Sequence, residues 1–284
     1  MVTFLALAAA VMYGVGDFVG GAASRRAGAL TVLLVSIPLG LGCTAVVAGL
    51  AGGTPTGAGL AWGFASGLAS GIGFLAFYRA LAMGPMSVVA PVEAMVGTVV
   101  PVAVGLGLGE RPEARVLAGV ALCVGAIGFV SREPGGGRVR WRITEGPGLA
   151  LLAGLGFGVF FVLLHQAGDG AGLWPLVSSR AGVLLVVLLA ILAARGKTTN
   201  PRAALRVKGT FALVVAAAVI DVGANVAYFR ASTAGLLTVV AVLTSLYPAV
   251  TVLLARVVHG ERLRAAQRFG LGMALTGVAL VTLG

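Results

Sequence analysis

Three carboxylates interrupt runs of sequence that are otherwise apolar. Asp17 stands in Val15-Gly16-Asp17-Phe18-Val19-Gly20, Glu93 lies between Pro91 and Pro101, and Asp221 precedes Asn225 by four residues. A charge at the centre of a bilayer costs at least ~2.5–3.5 kcal/mol, so an ionisable residue retained there is a functional suspect. Desolvation disfavours the charged form of a carboxyl, which lets such a group load and unload a proton or receive a cation. The prolines around Glu93 free backbone carbonyls that can join it in binding a cation or an amine. Each carboxylate also has a plainer reading. Asp17 can bond to a neighbouring helix, Glu93 can pair with Arg79 or Arg180, and Asp221 can pair with a basic residue.

Other polar groups fall near the same depth. Asp221 and Asn225 are one helical turn apart, on one face, so both can point into one cavity. Tyr13 and Tyr247 can stack a planar ligand or simply fill a core. Arg180 falls early in an apolar run, where it can face a cavity. Arg79 and Arg230 fall near span ends, where long basic side chains snorkel to headgroups. His165 closes a span and reads as an interfacial polar group. Trp62, Trp141 and Trp174 fall near span boundaries and read as an aromatic belt. Glu110 and Glu261 sit in Gly-Glu-Arg at the end of one span and the start of the next. There they are expected to cap the following helix or pair with Arg115 and Arg264.

The elements that must position these residues are membrane spans. Charged residues are 10% of the 284-residue chain and hydrophobic residues 59%, with a mean hydropathy of +1.05. Soluble domains carry about 25% charged residues, so a water-soluble enzyme is excluded, and so is disorder, which needs low hydrophobicity. Two cysteines give no disulfide framework. They read, as Cys43 and Cys123, as small apolar fillers within spans. With roughly 20 apolar residues per span, the runs predict helices at 3–22, 29–50, 60–82, 86–108, 115–131, 147–166, 173–194, 209–231, 236–257 and 266–283. The first has no positive n-region and contains Asp17, so it reads as a helix of the mature protein and not as a signal peptide. A polar, basic linker occupies 132–145, between a first unit at 1–131 and a second at 146–284.

The two units resemble each other. At a constant offset of 151, Tyr78-Arg79-Ala80 answers to Phe229-Arg230-Ala231, Gly84 to Gly235, and Val88-Val89-Ala90 to Val239-Val240-Ala241. Gly109-Glu110-Arg111 answers to Gly260-Glu261-Arg262, and Gly119 to Gly270. Earlier, Tyr13-Gly14-Val15 matches Phe157-Gly158-Val159 at an offset of 144. Five spans per unit is an odd number, so the second unit is flipped across the membrane. This is the inverted-repeat design of secondary transporters, with the binding site near the midplane. Asp17 and Glu93 correspond to Phe161 and Thr244 in the second unit, so the site is expected to be asymmetric.

On these motifs the chain resembles the ten-span EamA type of the drug/metabolite transporter superfamily. The stretches from Phe77 to Val130 and from Tyr228 to Leu283 carry the likeness. Tyr247-Pro248 stands where such proteins often carry a proline, while the first unit has Gly97 there, so a helix break in span four is expected to be displaced. The resemblance implies an all-α membrane fold and export or exchange of small metabolites by alternating access. Around Asp17 the pattern is also similar to the first helix of small multidrug-resistance transporters, which implies proton exchange against a cationic substrate.

We therefore expect a secondary transporter of the inner membrane, exporting amino acids or small amphipathic compounds, with proton coupling or as an uncoupled facilitator. Asp17 and Glu93 are the expected substrate or coupling residues, and Tyr13, Arg180, Asp221, Asn225 and Tyr247 the expected lining. No Walker lysine follows the glycines and no metal-ligand spacing occurs, so no cofactor is expected. The partners are the small-molecule substrate and membrane lipids, not nucleic acid, with the chain a monomer or a homodimer. A lipid-phosphate enzyme is the rival from another class, and a non-transporting subunit a third. The loops after spans one, five, seven and nine hold fifteen of the 20 basic residues. The positive-inside rule places that side in the cytoplasm and the termini outside, whereas the family resemblance implies cytoplasmic termini.

Overall fold

A computed structural model describes residues 1–83, 86–130, 146–193, 209–259 and 265–283. Among these residues the regular structure is eleven α-helices. The first unit holds α1 (Val2–Ala27), α2 (Ala29–Ala51), α3 (Gly57–Met83), α4 (Met86–Gly107) and α5 (Ala114–Val130). The second holds α6 (Gly146–Gln166), α7 (Trp174–Ala193), α8 (Thr210–Ala234), α9 (Leu237–Thr244), α10 (Tyr247–His259) and α11 (Ala265–Leu283). Most of these helices are apolar on every side, as expected for helices solvated by lipid and not by water. Six are long and apolar enough to cross a membrane, and shorter apolar stretches lie at Glu93–Gly107, Ala114–Phe129, Leu237–Thr251 and Arg268–Val281. Phe4, Leu50, Leu192, Phe211 and Leu275 point outward, a lipid-facing surface.

The helices fall within a few residues of the expected spans, with one correction. Span nine is two helices, broken at Ser245-Leu246. Pro248 has no amide N–H to give to the carbonyl one turn back. The chain tightens instead, with Leu246 N–H donating to Leu243 O at 3.3 Å and Ala249 N–H to Leu246 O at 2.9 Å. The displaced break expected in span four is absent: α4 runs unbroken through Pro91 and Pro101. Gly97 occupies the position corresponding to Pro248 and keeps its amide, so the helical ladder continues there. The 132–145 linker, Trp141, Glu261 and Arg264 lie outside the described residues.

The halves interlock. α1 packs on α8, and α6 on α3; α1 also packs on α9 and α10, and α6 on α4. α2 meets α7, and α5 meets α11. The contacts thus exchange when the halves are exchanged. Glycine permits the closest crossings. A Cβ at Gly67 would lie 2.7 Å from the Ser179 carbonyl carbon and 2.9 Å from its Cα, and Ser66 Oγ donates to Ser179 Oγ nearby at 3.1 Å. Gly67→Ala should gain at most about 1 kcal/mol of helix propensity, yet it overpacks backbone against backbone at about 1–3 kcal/mol. The net effect is a lower melting temperature in detergent. Gly42→Ala, in α2 where a Cβ meets nothing within 4 Å, is the control and should hold or raise the melting temperature, since it gains propensity without a clash.

Candidate functional site

The site is built around the broken span. The break starts α10 at Tyr247, whose hydroxyl donates to Glu93 Oε2 on α4 at 2.8 Å. Glu93 is buried, at 5% exposure. Its backbone runs against α6, where a Cβ at Gly154 would sit 2.6 Å from the Glu93 carbonyl oxygen. α1 fits against the break because residue 14 is glycine. A Cβ there would lie 2.6 Å from both Tyr247 O and Val250 Cβ. Thr251 closes this corner, its hydroxyl 3.1 Å from Gly14 O and 3.2 Å from Tyr247 O.

Tyr13 projects from α1 one residue earlier. Its ring meets Tyr247 edge to face, with centroids 6.5 Å apart, and Phe161 at 6.4 Å. Its hydroxyl is buried with no hydrogen-bond partner among the described residues. A buried hydroxyl left unpaired costs about 1–3 kcal/mol, so this group is an available donor or acceptor at the site. Phe161 in turn stacks on Tyr228, whose hydroxyl donates to Phe161 O at 3.1 Å.

On the other side of Tyr13 is a second polar group. Arg180 on α7 forms an ion pair with Asp221 on α8. Asn225 Nδ2 donates to Asp221 O at 2.7 Å and to Asp221 Oδ1 at 3.2 Å. The pairing settles two alternatives left open by spacing: Arg180 serves Asp221 and not Glu93, and Asp221 has a basic partner. Gly40 on α2 lies beside the guanidinium, where a Cβ would come into ordinary contact with Arg180 Cζ at 3.8 Å.

Asp17 links the two groups. It is within electrostatic range of Asp221, Glu93 and Tyr247. It is also exposed, although Gly16 and Gly20 on either side of it pack against Ile220 and Ala217 of α8. Asp17, Glu93, Tyr13, Arg180, Asp221, Asn225 and Tyr247 are thus brought into one region, drawn from α1, α4, α7, α8 and α10. Among the described residues the region holds three carboxylates and one guanidinium, which pairs with Asp221.

Other residues lie outside this region. Arg79 and Arg230 are exposed, as snorkelling side chains are. His165 Nδ1 lies 2.7 Å from Ser232 O, tying the end of α6 to α8. Trp174 Nε1 donates to Gly53 O at 3.1 Å, and Trp62 is 41% exposed. The expected partners of Glu110 are corrected. It neither caps the following helix nor pairs with Arg115, which bonds Glu113 at 3.0 Å. Its carboxylate instead reaches Leu237 and Thr238 at the start of α9. Sequence reasoning missed Tyr228 and Thr251. The aromatic run Tyr228-Phe229 signals the first, and nothing local signals the second.

Apolar helices enclosing a polar cluster define a multi-pass membrane protein. Residues 144–283 match the EamA-like transporter family. That second half of the chain belongs to this family of membrane transporters, within the drug/metabolite transporter superfamily. A solved crystal structure of another protein is similar with a TM-score of 0.79 at 18% identity, covering 99% of this chain and 96% of that one. At that identity the likeness is one of fold. No curated protein matches the chain.

Proposed function

We propose that the protein is a secondary transporter that exports amino acids or small amphipathic metabolites across the inner membrane by alternating access. The observation that carries this reading is the convergence of polar side chains from both halves at the broken span. Ten spans in two inverted five-helix repeats, 1–131 and 146–284, are the architecture we propose for it. The exchangeable contact pattern supports that, as does the offset of 151, which carries the helix starts at Met86 and Ala114 onto Leu237 and Ala265. Asp17 and Glu93 bind the coupling proton or the amine of the substrate. Tyr13, Asn225 and Tyr247 line the cavity, and the Arg180–Asp221 pair closes its wall.

The test is transport by the purified chain in liposomes, with a labelled panel of amino acids, their analogues and organic cations, with and without a proton gradient. We expect one class to move, faster with the gradient. Movement of a class with no response to the gradient would leave a facilitator in place of a coupled carrier. No movement of any class, by protein that is folded and inserted, would overturn the proposal.

A further inference from the structure

Glu110 stands outside the site, in the turn after α4, yet it joins the two halves through the backbone. Its Oε1 accepts from Leu237 N–H at 2.5 Å and its Oε2 from Thr238 N–H at 2.9 Å. These are the first amides of α9, and the flanking Leu236 supplies no side-chain cap. A carboxylate from one half thus satisfies the open N-terminus of a helix in the other. Such charge-assisted bonds are short and strong, and a negative group there complements the helix dipole.

The turn is shaped to aim this carboxylate. Glu110 N–H donates to Gly105 O at 3.0 Å. Gly109 has φ 94°, a conformation glycine adopts without strain. A Cβ at Gly105 would come 2.6 Å from Glu110 Oε2, so any larger residue there would push the carboxylate from this position.

α9 carries the consequence to the site. Eight residues long, it spans about 12 Å, and all of it except Val239 is buried. Its far end is Thr244, next to the break from which Tyr247 reaches Glu93. The face that bears Glu110 is closed: Gly235 packs on Val2, and the main core cluster includes Ala6, Ala9, Leu164, Tyr228 and Phe229. On the opposite side the buried clusters are small and separate, such as Ala23, Ala27, Val32 and Val214. A cleft of about 340 Å³ lined by Val2, Arg111 and Leu236 brings solvent up to the Glu110 turn, so water is at hand to replace the two bonds.

We infer that Glu110 is a positioning residue that latches α9 to the first half, holds the Glu110 face closed, and releases when that face opens. The timing of release rests on the alternating-access reading; the closure does not. The test uses Thr244→Cys as a reporter in a chain carrying Cys43→Ser and Cys123→Ala, in oriented vesicles. A membrane-impermeant maleimide is applied from the Glu110 face. Without further change, labelling is slow. Glu110→Ala removes both bonds and should speed it about tenfold or more, the change in equilibrium that losing even one charge-assisted bond produces. Glu110→Gln, which keeps one neutral acceptor, should fall between. Val187→Cys, buried in a separate cluster with Leu33 and Ile37, should not change. Unaltered labelling of Thr244→Cys in folded Glu110→Ala protein would overturn the inference. So would an equal rise at Val187→Cys, which would mean general loosening. Labelling needs no substrate, so a chain that moved no solute but showed this response would sink the transport reading and leave the latch standing.

Discussion

Glu93→Gln reduces the initial rate of solute movement in liposomes by about 100-fold, the upper end of what losing one charge-assisted interaction produces. The substitution preserves the shape of a side chain that is 5% exposed, and its amide oxygen can still accept from Tyr247. What it removes is the charge and the capacity to exchange a proton. Tyr247→Phe does the reverse: it removes the 2.8 Å hydrogen bond and leaves the carboxylate in place. It should cost about tenfold, as one buried hydrogen bond does. Asp17→Asn should resemble Glu93→Gln if the two carboxylates serve one cation or one proton, because they lie within electrostatic range of each other. If Glu93→Gln moves solute at the parental rate, Glu93 is a structural acceptor for Tyr247 and the assignment of the coupling site falls. If Tyr247→Phe is as damaging as Glu93→Gln, the hydrogen bond that holds Glu93 matters as much as its charge.

The membrane helices were legible because the physical signal is local. Twenty apolar residues and a small-residue turn mark a span wherever the rest of the chain lies. The members of the site were legible for a related reason: a charge inside such a run must have a purpose, so Asp17, Glu93, Asp221 and Arg180 stood out. Their pairing was not legible. Glu93 had Arg79 and Arg180 as candidates and Asp221 only an unnamed basic residue, since the distance between helices is set by packing at Gly154 and its neighbours and not by spacing along the chain. The break in span nine was half legible. Pro248 announces a missing amide, but its replacement by a turn at Ser245-Leu246 depends on α1 arriving at Gly14. Glu110 was least legible of all. Its position at a helix end suggested a cap for the next helix, but its partners lie 127 and 128 residues away. Only the interlocking of the halves brings them within reach.

That interlocking makes the Arg180–Asp221 pair the second large effect. The two side chains are 9% and 32% exposed. Removing one partner of a buried pair strands the other charge, at about 3–5 kcal/mol. Because Asp221 is partly open, Arg180→Ala should lie near the low end, about 3 kcal/mol, seen as a marked fall in melting temperature in detergent. The stranded carboxylate sits in electrostatic range of Asp17 and Tyr13, so three carboxylates would then share the region without a cation. The double variant Arg180→Ala with Asp221→Asn removes the stranded charge, and Asn retains an acceptor for Asn225. It should recover most of the lost stability, since removing both partners of a buried pair is often neutral. A double variant no more stable than Arg180→Ala would mean that Arg180 holds α7 to α2 through its stem and not through its charge. Recovery of stability without recovery of transport would separate the two roles, with the pair setting the local charge at Asp17 as well as joining α7 to α8.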